Sequence, residues 1–353
     1  MIISTGLVIT SPSFLTIRFM DFNILKKIVN ENSNFLLTTH VNPDADAIGS
    51  EIALYNLLSR LSKNVKVINH SITPSNLIFL DKEKVITKFD VKTDQKHFDN
   101  TDVIIALDFN RSNRLVSMEQ SFLKSNKIKV CIDHHQDAEQ IFNYFFCSDE
   151  YAATGQIIYD FIKQTKLVKI DYEIAFPIYA AIMTDTGSFR FERTTPQLHR
   201  IVADLLECGF SPEDVYDKIY DQGKLSKLML LGKTLETLKL AGENKIGYMS
   251  ISQDTFKELN ILESDTDGFV NYALTVENII LAILFIELKN GFKVSFRSKG
   301  NLPVNQLAAQ FGGGGHINAS GARFLNSKMN EEMQNIILAS EKFLINHSQE
   351  NNV

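Results

Sequence analysis

Tryptophan is absent from this 353-residue chain, and cysteine occurs only three times, as Cys131, Cys147 and Cys208. An odd number of cysteines without CxxC spacing argues against a disulfide-stapled scaffold. Their apolar surroundings predict three small buried hydrophobes in a reducing compartment. An excess of positive charge is missing too: 36 Lys plus Arg against 42 Asp plus Glu leave a net charge of −6. That is the wrong sign for gripping long duplex nucleic acid through counterion release, although a short anionic substrate held by metal stays compatible with it. No uncharged apolar run reaches about 18 residues, so no membrane-spanning helix is expected. The first 19 residues carry no basic residue before Arg18 and no long apolar core, which speaks against a secretory signal; they read as an extension, or as preceding a start at Met20. A soluble, cytoplasmic protein is the expectation.

What is present is an ordinary globular mixture, 44% apolar and 22% charged, in a chain more than twice the usual length of one domain. Two domains are therefore expected. From Phe22 the sequence reads as a helix, then Asn34 to Thr39 as a strand ending at His40. A helical pattern in SEIALYNLLSRL and a β-rich VKVIN follow. The alternation recurs at DVIIALDFN and KVCIDHHQD, which predicts βαβ units on a largely parallel sheet flanked by helices, with the ligand crevice beyond the carboxyl ends of the strands. A fourth unit begins with a helix over Ala153 to Lys163 and runs through Phe176 to Met183 into TDTGSFRFERTTP. Residues 196–240 read as a helical connector. Past Gly242 a smaller α/β domain begins, with a hairpin turning at Asn290 and Gly291 and a final helix from about Ser327 to Asn346.

The chemistry concentrates at strand ends. In HVNPDADAIGS, Asp44 and Asp46 follow the turn at Pro43 while His40 comes off the preceding strand. Carboxylates this close repel unless cations sit between them; the alternative is that one caps the next helix and the other is solvated. Asp108 follows VIIAL, Asp133, His134 and His135 follow VCI, and Asp185 follows IYAAIMT. Adjacent histidines after an aspartate at a strand end are hard to explain by packing, and the joint pattern favours a metal site.

With HVNPDADAIGS, ALDFN, IDHHQD, MTDTGSFRF and FGGGGHINASG in this order, the sequence resembles the DHH phosphoesterases that carry a C-terminal DHHA1 domain. The resemblance runs from Met20 to about His347. Within that family it is most similar to the bifunctional oligoribonuclease and pAp phosphatases. It implies a DHH catalytic domain over 20–195, the connector over 196–240 and a DHHA1 substrate-binding domain over 241–347. By position it implies one ion on His40, Asp44 and Asp108 and another on Asp46, Asp108, His134 and Asp185, with Asp108 bridging. Mixed imidazole and carboxylate donors suit two Mn²⁺, with Mg²⁺ as second choice. His135 would face the scissile phosphate or protonate the leaving group, and Asp133 would orient an imidazole. Ala45 stands where the family commonly has glycine and leaves every ligand in place.

In the second domain, Gly312 to Gly315 followed by His316 form a run where backbone N–H groups can approach an anion. The resemblance assigns Arg297 and His316, with Ser298, Gly313, Gly314 and Gly315 beside them, to the substrate's terminal phosphate or nucleotide. The implied activity is hydrolysis of very short RNA, two to about four nucleotides, and of 3′-phosphoadenosine-5′-phosphate (pAp). Two readings compete with it: a stand-alone cyclic di-AMP or pApA phosphodiesterase, and a non-catalytic nucleotide sensor, against which every expected ligand position is filled. Apolar helices in the connector could form a homodimer surface or pack on the first domain.

Overall fold

Short apolar runs punctuated by amphipathic segments build two compact units that divide between Gln222 and Gly223 in the computed structural model, which describes residues 20–350. Expectations for residues 1–19 lie outside the described residues. In the first unit, helix α1 (Phe22–Glu31) precedes β1 (Asn34–Thr39), α2 (Ala45–Arg60), β2 (Asn64–Asn69), β3 (Ile86–Lys88), α3 (Val91–Asn100), β4 (Val103–Leu107), α4 (Glu119–Lys124), β5 (Ile128–Asp133) and β6 (Tyr144–Cys147). Helices α5 (Thr154–Thr165), α6 (Tyr172–Asp185), α7 (Pro196–Leu206) and α8 (Pro212–Tyr220) complete it.

The six strands are all parallel in the order β3-β2-β1-β4-β5-β6. From β1 the chain adds strands outward on one side and from β4 outward on the other, so the boundary between β1 and β4 is the topological switch point where open α/β sheets bind ligands. Strand β4, Val-Ile-Ile-Ala-Leu, is buried throughout because helices cover both faces. Val103, Ile105 and Leu107 pack with α1, α2, α5 and α6, while Ile104 and Ala106 pack against Phe98 of α3 and Phe122 of α4.

Close helix packing supports the edge that carries the chemistry. A Cβ on Gly49 of α2 would lie 2.4 Å from the Pro177 carbonyl oxygen of α6, so only glycine admits this approach. Pro177 cannot donate to the Glu173 carbonyl one turn back. Asn56 Nδ2 of α2 donates to that carbonyl instead, at 2.7 Å.

The second unit opens with α9 (Leu225–Glu236), followed by β7 (Lys239–Ala241), β8 (Ile246–Ile251), α10 (Gln253–Leu259), α11 (Val270–Leu274), β9 (Leu281–Leu288), β10 (Gly291–Ser298), α12 (Val304–Ala309), β11 (Gly314–His316), β12 (Ala319–Leu325) and α13 (Met329–Glu350). Its sheet, β11-β12-β10-β9-β8-β7, is antiparallel except for the β8–β9 pair. One face packs on α12 and α13, the other on α9, α10 and α11. Residues 196–240 are thus divided, α7 and α8 lying in the first unit and α9 and the start of β7 in the second. The β9–β10 hairpin turns on Lys289 and Asn290, and Gly291 already pairs with Leu288. Among the cysteines only Cys131 is buried; Cys147 and Cys208 are partly exposed, because edge strand β6 and the end of α7 cover them on one side only. No helix among the described residues is long and apolar enough to cross a membrane.

Candidate metal centre

Residues from five segments meet at the carboxyl edge of the first sheet. His40 leaves β1 and Asp108 leaves β4, the two strands that flank the switch point. Asp133 ends β5, and His134 and His135 follow it. Asp44 caps α2, its Oδ1 accepting from the Asp46 and Ala47 amides at 3.1 Å each. Capping employs one oxygen and leaves the other. Asp46 is not solvated; it lies in the first turn of α2, wholly buried. Asp185 comes from the last turn of helix α6 rather than from a strand end.

Asp108 is central by geometry. Its Oδ2 lies 3.3 Å from His40 Nε2 and its Oδ1 3.5 Å from His134 Nε2, so its two oxygens face different imidazoles. Its backbone is left-handed, φ 63°, while its N–H still donates to the Ile132 carbonyl at 3.0 Å. Such a conformation in a buried aspartate costs on the order of 1 kcal/mol, a kind of strain that gathers at functional sites. His134 Nε2 also lies 3.1 Å from Asp185 Oδ2 and 3.6 Å from Asp46 Oδ2, yet neither ring nitrogen makes a hydrogen bond.

Ligand atoms of His40, Asp44 and Asp108 fall within 4.8 Å of one another; so do those of Asp46, His134 and Asp185, and those of Asp108, His134 and His135. The electrostatics follow from this crowding. Loss of solvent and then repulsion from Asp108 and Asp185 push Asp44 up to about 6, although the residue's outer surface is exposed, and push buried Asp46 well above the carboxylate range. Burial likewise raises Asp185. Burial acts against charge on Asp108 as well, but His134 and His40 hold it far below its ordinary value. Burial opposes a charged His134, and Asp108 and Asp185 overcome that and push it up to about 11. A divalent cation among these carboxylates would relieve the repulsion and accept the unpartnered His134 nitrogen. Imidazole nitrogen and carboxylate oxygen without thiolate fit Mn²⁺ or Mg²⁺.

Groups that motif reading passed over support this set. The amides of Thr154 and Gly155, at the start of α5, donate to Asp46 at 2.7 and 2.9 Å. Ser50 Oγ donates to Asp46 at 3.1 Å, and Thr154 Oγ1 donates to Asp108 Oδ1 at 3.0 Å. The positive end of one helix is thereby aimed at a carboxylate of another. Its only signal in the sequence is Thr-Gly at a helix start. His40 Nδ1 bonds the Val41 carbonyl at 2.9 Å, which leaves Nε2 toward Asp108. His135 is more open, its side chain 54% exposed, and its Nδ1 meets Asp133 Oδ1 at 2.8 Å. That contact is the chief reason its pKa rises.

The residues expected to read substrate lie in the second unit. Arg297 and Gly314 line a cavity of about 260 Å³ together with Lys293, Ser295 and Asp267. Gly314, Gly315 and His316 form edge strand β11, exposed and paired to β12, not a free loop. Gly313 is required for packing, since a Cβ there would lie 2.1 Å from the Gly321 carbonyl oxygen. Ser298 is buried, donating to the Leu302 carbonyl at 2.6 Å and accepting from Asn318 Nδ2 at 2.9 Å. Its hydroxyl is thus occupied by the loop that follows β10 and by the turn between β11 and β12.

Residues 34–182 match the family model "DHH family, N-terminal domain", and residues 251–345 match the "DHHA1 domain". Over 305 residues, 86% of this chain and 88% of the relative, the sequence is 29% identical to the bifunctional oligoribonuclease and PAP phosphatase NrnA of Thermus thermophilus. The protein of the same name from Bacillus subtilis is 26% identical over 84% of this chain and 91% of its own. A crystal structure of an exopolyphosphatase-related protein from Bacteroides fragilis superposes with a TM-score of 0.86 at 29% identity, covering 94% of this chain and 97% of that one.

Proposed function

Because the chain belongs to the DHH family and carries a DHHA1 domain, we propose that it hydrolyses phosphoester bonds in very short oligoribonucleotides and converts pAp to AMP, using two divalent ions, Mn²⁺ before Mg²⁺. The observation that carries this reading is the pair of ligand groups, His40–Asp44–Asp108 and Asp46–His134–Asp185, joined by the two-sided contacts of Asp108. Ions held there would lower the pKa of a water, polarise the phosphoryl group and stabilise both attacking and leaving oxygens.

The chain's own residues supply the rest. Asp108 offers one oxygen to each ligand group. Thr154, Gly155 and Ser50 fix the carboxylates of Asp46 and Asp108 by donating to them, so little reorganisation is needed when charge builds on the phosphate. Asp133 accepts from His135 Nδ1 and raises its pKa, which favours the doubly protonated imidazole whose outer Nε2 proton can pass to the leaving oxygen. In the second unit, Arg297 lines a cavity with Asp267 and Lys293; Lys293 Nζ is already paired with Glu263 Oε1 at 3.3 Å, so the guanidinium of Arg297 is the group to meet a phosphate.

The test is product analysis with purified protein and Mn²⁺ on pAp, RNA of two to five nucleotides, a 24-mer and cyclic di-AMP, with Asp108→Ala as control. Turnover of pAp and the shortest RNAs that disappears in the control is expected. Preferential opening of cyclic di-AMP would move the protein to a signalling phosphodiesterase, and nucleotide binding without turnover would make it a sensor.

A further inference from the structure

Glu51 sits in the middle of α2 with no exposed surface. Its Oε2 accepts from Asn69 Nδ2 at 2.8 Å, while its Oε1 has no partner. A buried carboxyl with an orphaned oxygen is costly and calls for a physical reason. The reason lies in what Asn69 does with its other end. Along β1 the register with β2 stops at Leu37 and Val67, while the pairing with β4 continues through Thr39 and Leu107. Beyond that point Asn69 Oδ1 accepts from the Thr39 amide at 3.0 Å, so a side-chain amide replaces the missing strand neighbour. Thr39 Oγ1 in turn donates to the Leu107 carbonyl at 2.7 Å. The residues immediately after Thr39 and Leu107 are His40 and Asp108.

We infer that Glu51 and Asn69 form a positioning bridge, which locks helix α2, carrying Asp44 and Asp46, against the end of β1, carrying His40, and so sets the geometry of the first ligand group. The Thr39 N–H, which can only donate, fixes the orientation of the Asn69 amide, with Oδ1 toward Thr39 and Nδ2 toward Glu51. Helix and strand are thereby held at two places, the hydrophobic contacts along α2 and this polar bridge close to the metal ligands. The inference rests on the metal reading above.

Mn²⁺ titration of metal-stripped protein, read by calorimetry and by bound metal per chain, tests it without any substrate. Glu51→Gln keeps an acceptor for Asn69 and is expected to hold Mn²⁺ within about threefold of wild type. Glu51→Met keeps the volume but removes the acceptor and is expected to lose about 10- to 100-fold in affinity at one ion, the range typical of outer-shell changes at metal sites. Asn69→Ala should lose affinity in the same range, and it decides the matter if Glu51→Met fails to fold. Wild-type affinity in a folded Glu51→Met or Asn69→Ala would overturn the bridge. Glu51→Gln falling as far as Glu51→Met would overturn it too, by showing that charge rather than geometry is at work. A wild type that takes up no Mn²⁺ would sink the metal reading itself and the bridge with it.

Discussion

Buried acids here differ in what surrounds them, and so in what their protons do. Glu51, wholly buried with one oxygen bonded to Asn69 and the other unpartnered, is pushed up to about 8 by loss of solvent from an ordinary 4.5. The folded state therefore binds its proton more tightly than the unfolded one. Stability from this group is full below about pH 4.5 and falls as the pH rises toward 8. In metal-free protein, Glu51→Gln should gain on wild type as the pH rises, and urea denaturation at pH 5 and pH 9 should show the larger advantage at pH 9. His135 presents the opposite case, an open imidazole held by one buried carboxylate. It also lies within ligand distance of Asp108 and His134, so the geometry alone allows it to serve as a ligand. If it is instead a proton donor, His135→Ala keeps a near-normal Mn²⁺ content and loses on the order of 10²-fold or more in turnover; loss of metal would make it a ligand. Both roles draw on the DHH triplet that was legible in the chain. Glu51 and Asn69 were not, because a lone acid in an apolar helical pattern carries no signal until its neighbours are known.

Elements matter here through their ends and their close approaches. Strand ends after β1, β4 and β5 deliver His40, Asp108 and the 133–135 triplet, as the alternating pattern predicted. Helices deliver the rest: Asp44 and Asp46 from the start of α2, Asp185 from the end of α6, and the two amides at the start of α5. Contact between α2 and α6 is therefore part of the site's construction, and at Gly49 it leaves no room for a Cβ. Alanine is the better helix former by up to about 1 kcal/mol, yet Gly49→Ala drives a Cβ into the backbone of Pro177, which cannot yield as a flexible side chain would. We expect a net loss of about 1–2 kcal/mol in urea denaturation, with a weaker hold on metal because Asp46 and Asp185 are displaced relative to each other.

At the scale of the molecule, the acidic cluster belongs to one unit and the Lys293–Arg297 cavity to the other. Metal retention and substrate reading should then separate by mutation. Arg297→Ala is expected to weaken binding of di- to pentanucleotides by about tenfold, the order of a lost charge-assisted contact, while bound metal per chain stays at the wild-type level. Equal cleavage by wild type and variant at every substrate length would remove Arg297 from the reading. Ser298 makes a useful companion, since its hydroxyl is committed to Leu302 and Asn318. Ser298→Ala should act through stability more than through affinity, as thermal denaturation beside a binding titration would show.

The amino-acid sequence by itself determined the parallel α/β sheet, the second α/β domain and the identity of the acidic and imidazole groups. Those follow from local periodicity and from residue types clustered at the ends of apolar runs, which neighbouring residues suffice to set. Tertiary structure alone decided that Asp46 is buried and receives the start of α5, that Asp108 turns one oxygen to each of two histidines, and that the glycine run is an edge strand paired to β12. It also decided that Asn69 closes the end of β1. Apart from the local β11–β12 hairpin, each of these joins groups distant in the chain, and their distances are fixed by packing between elements, which no local pattern encodes.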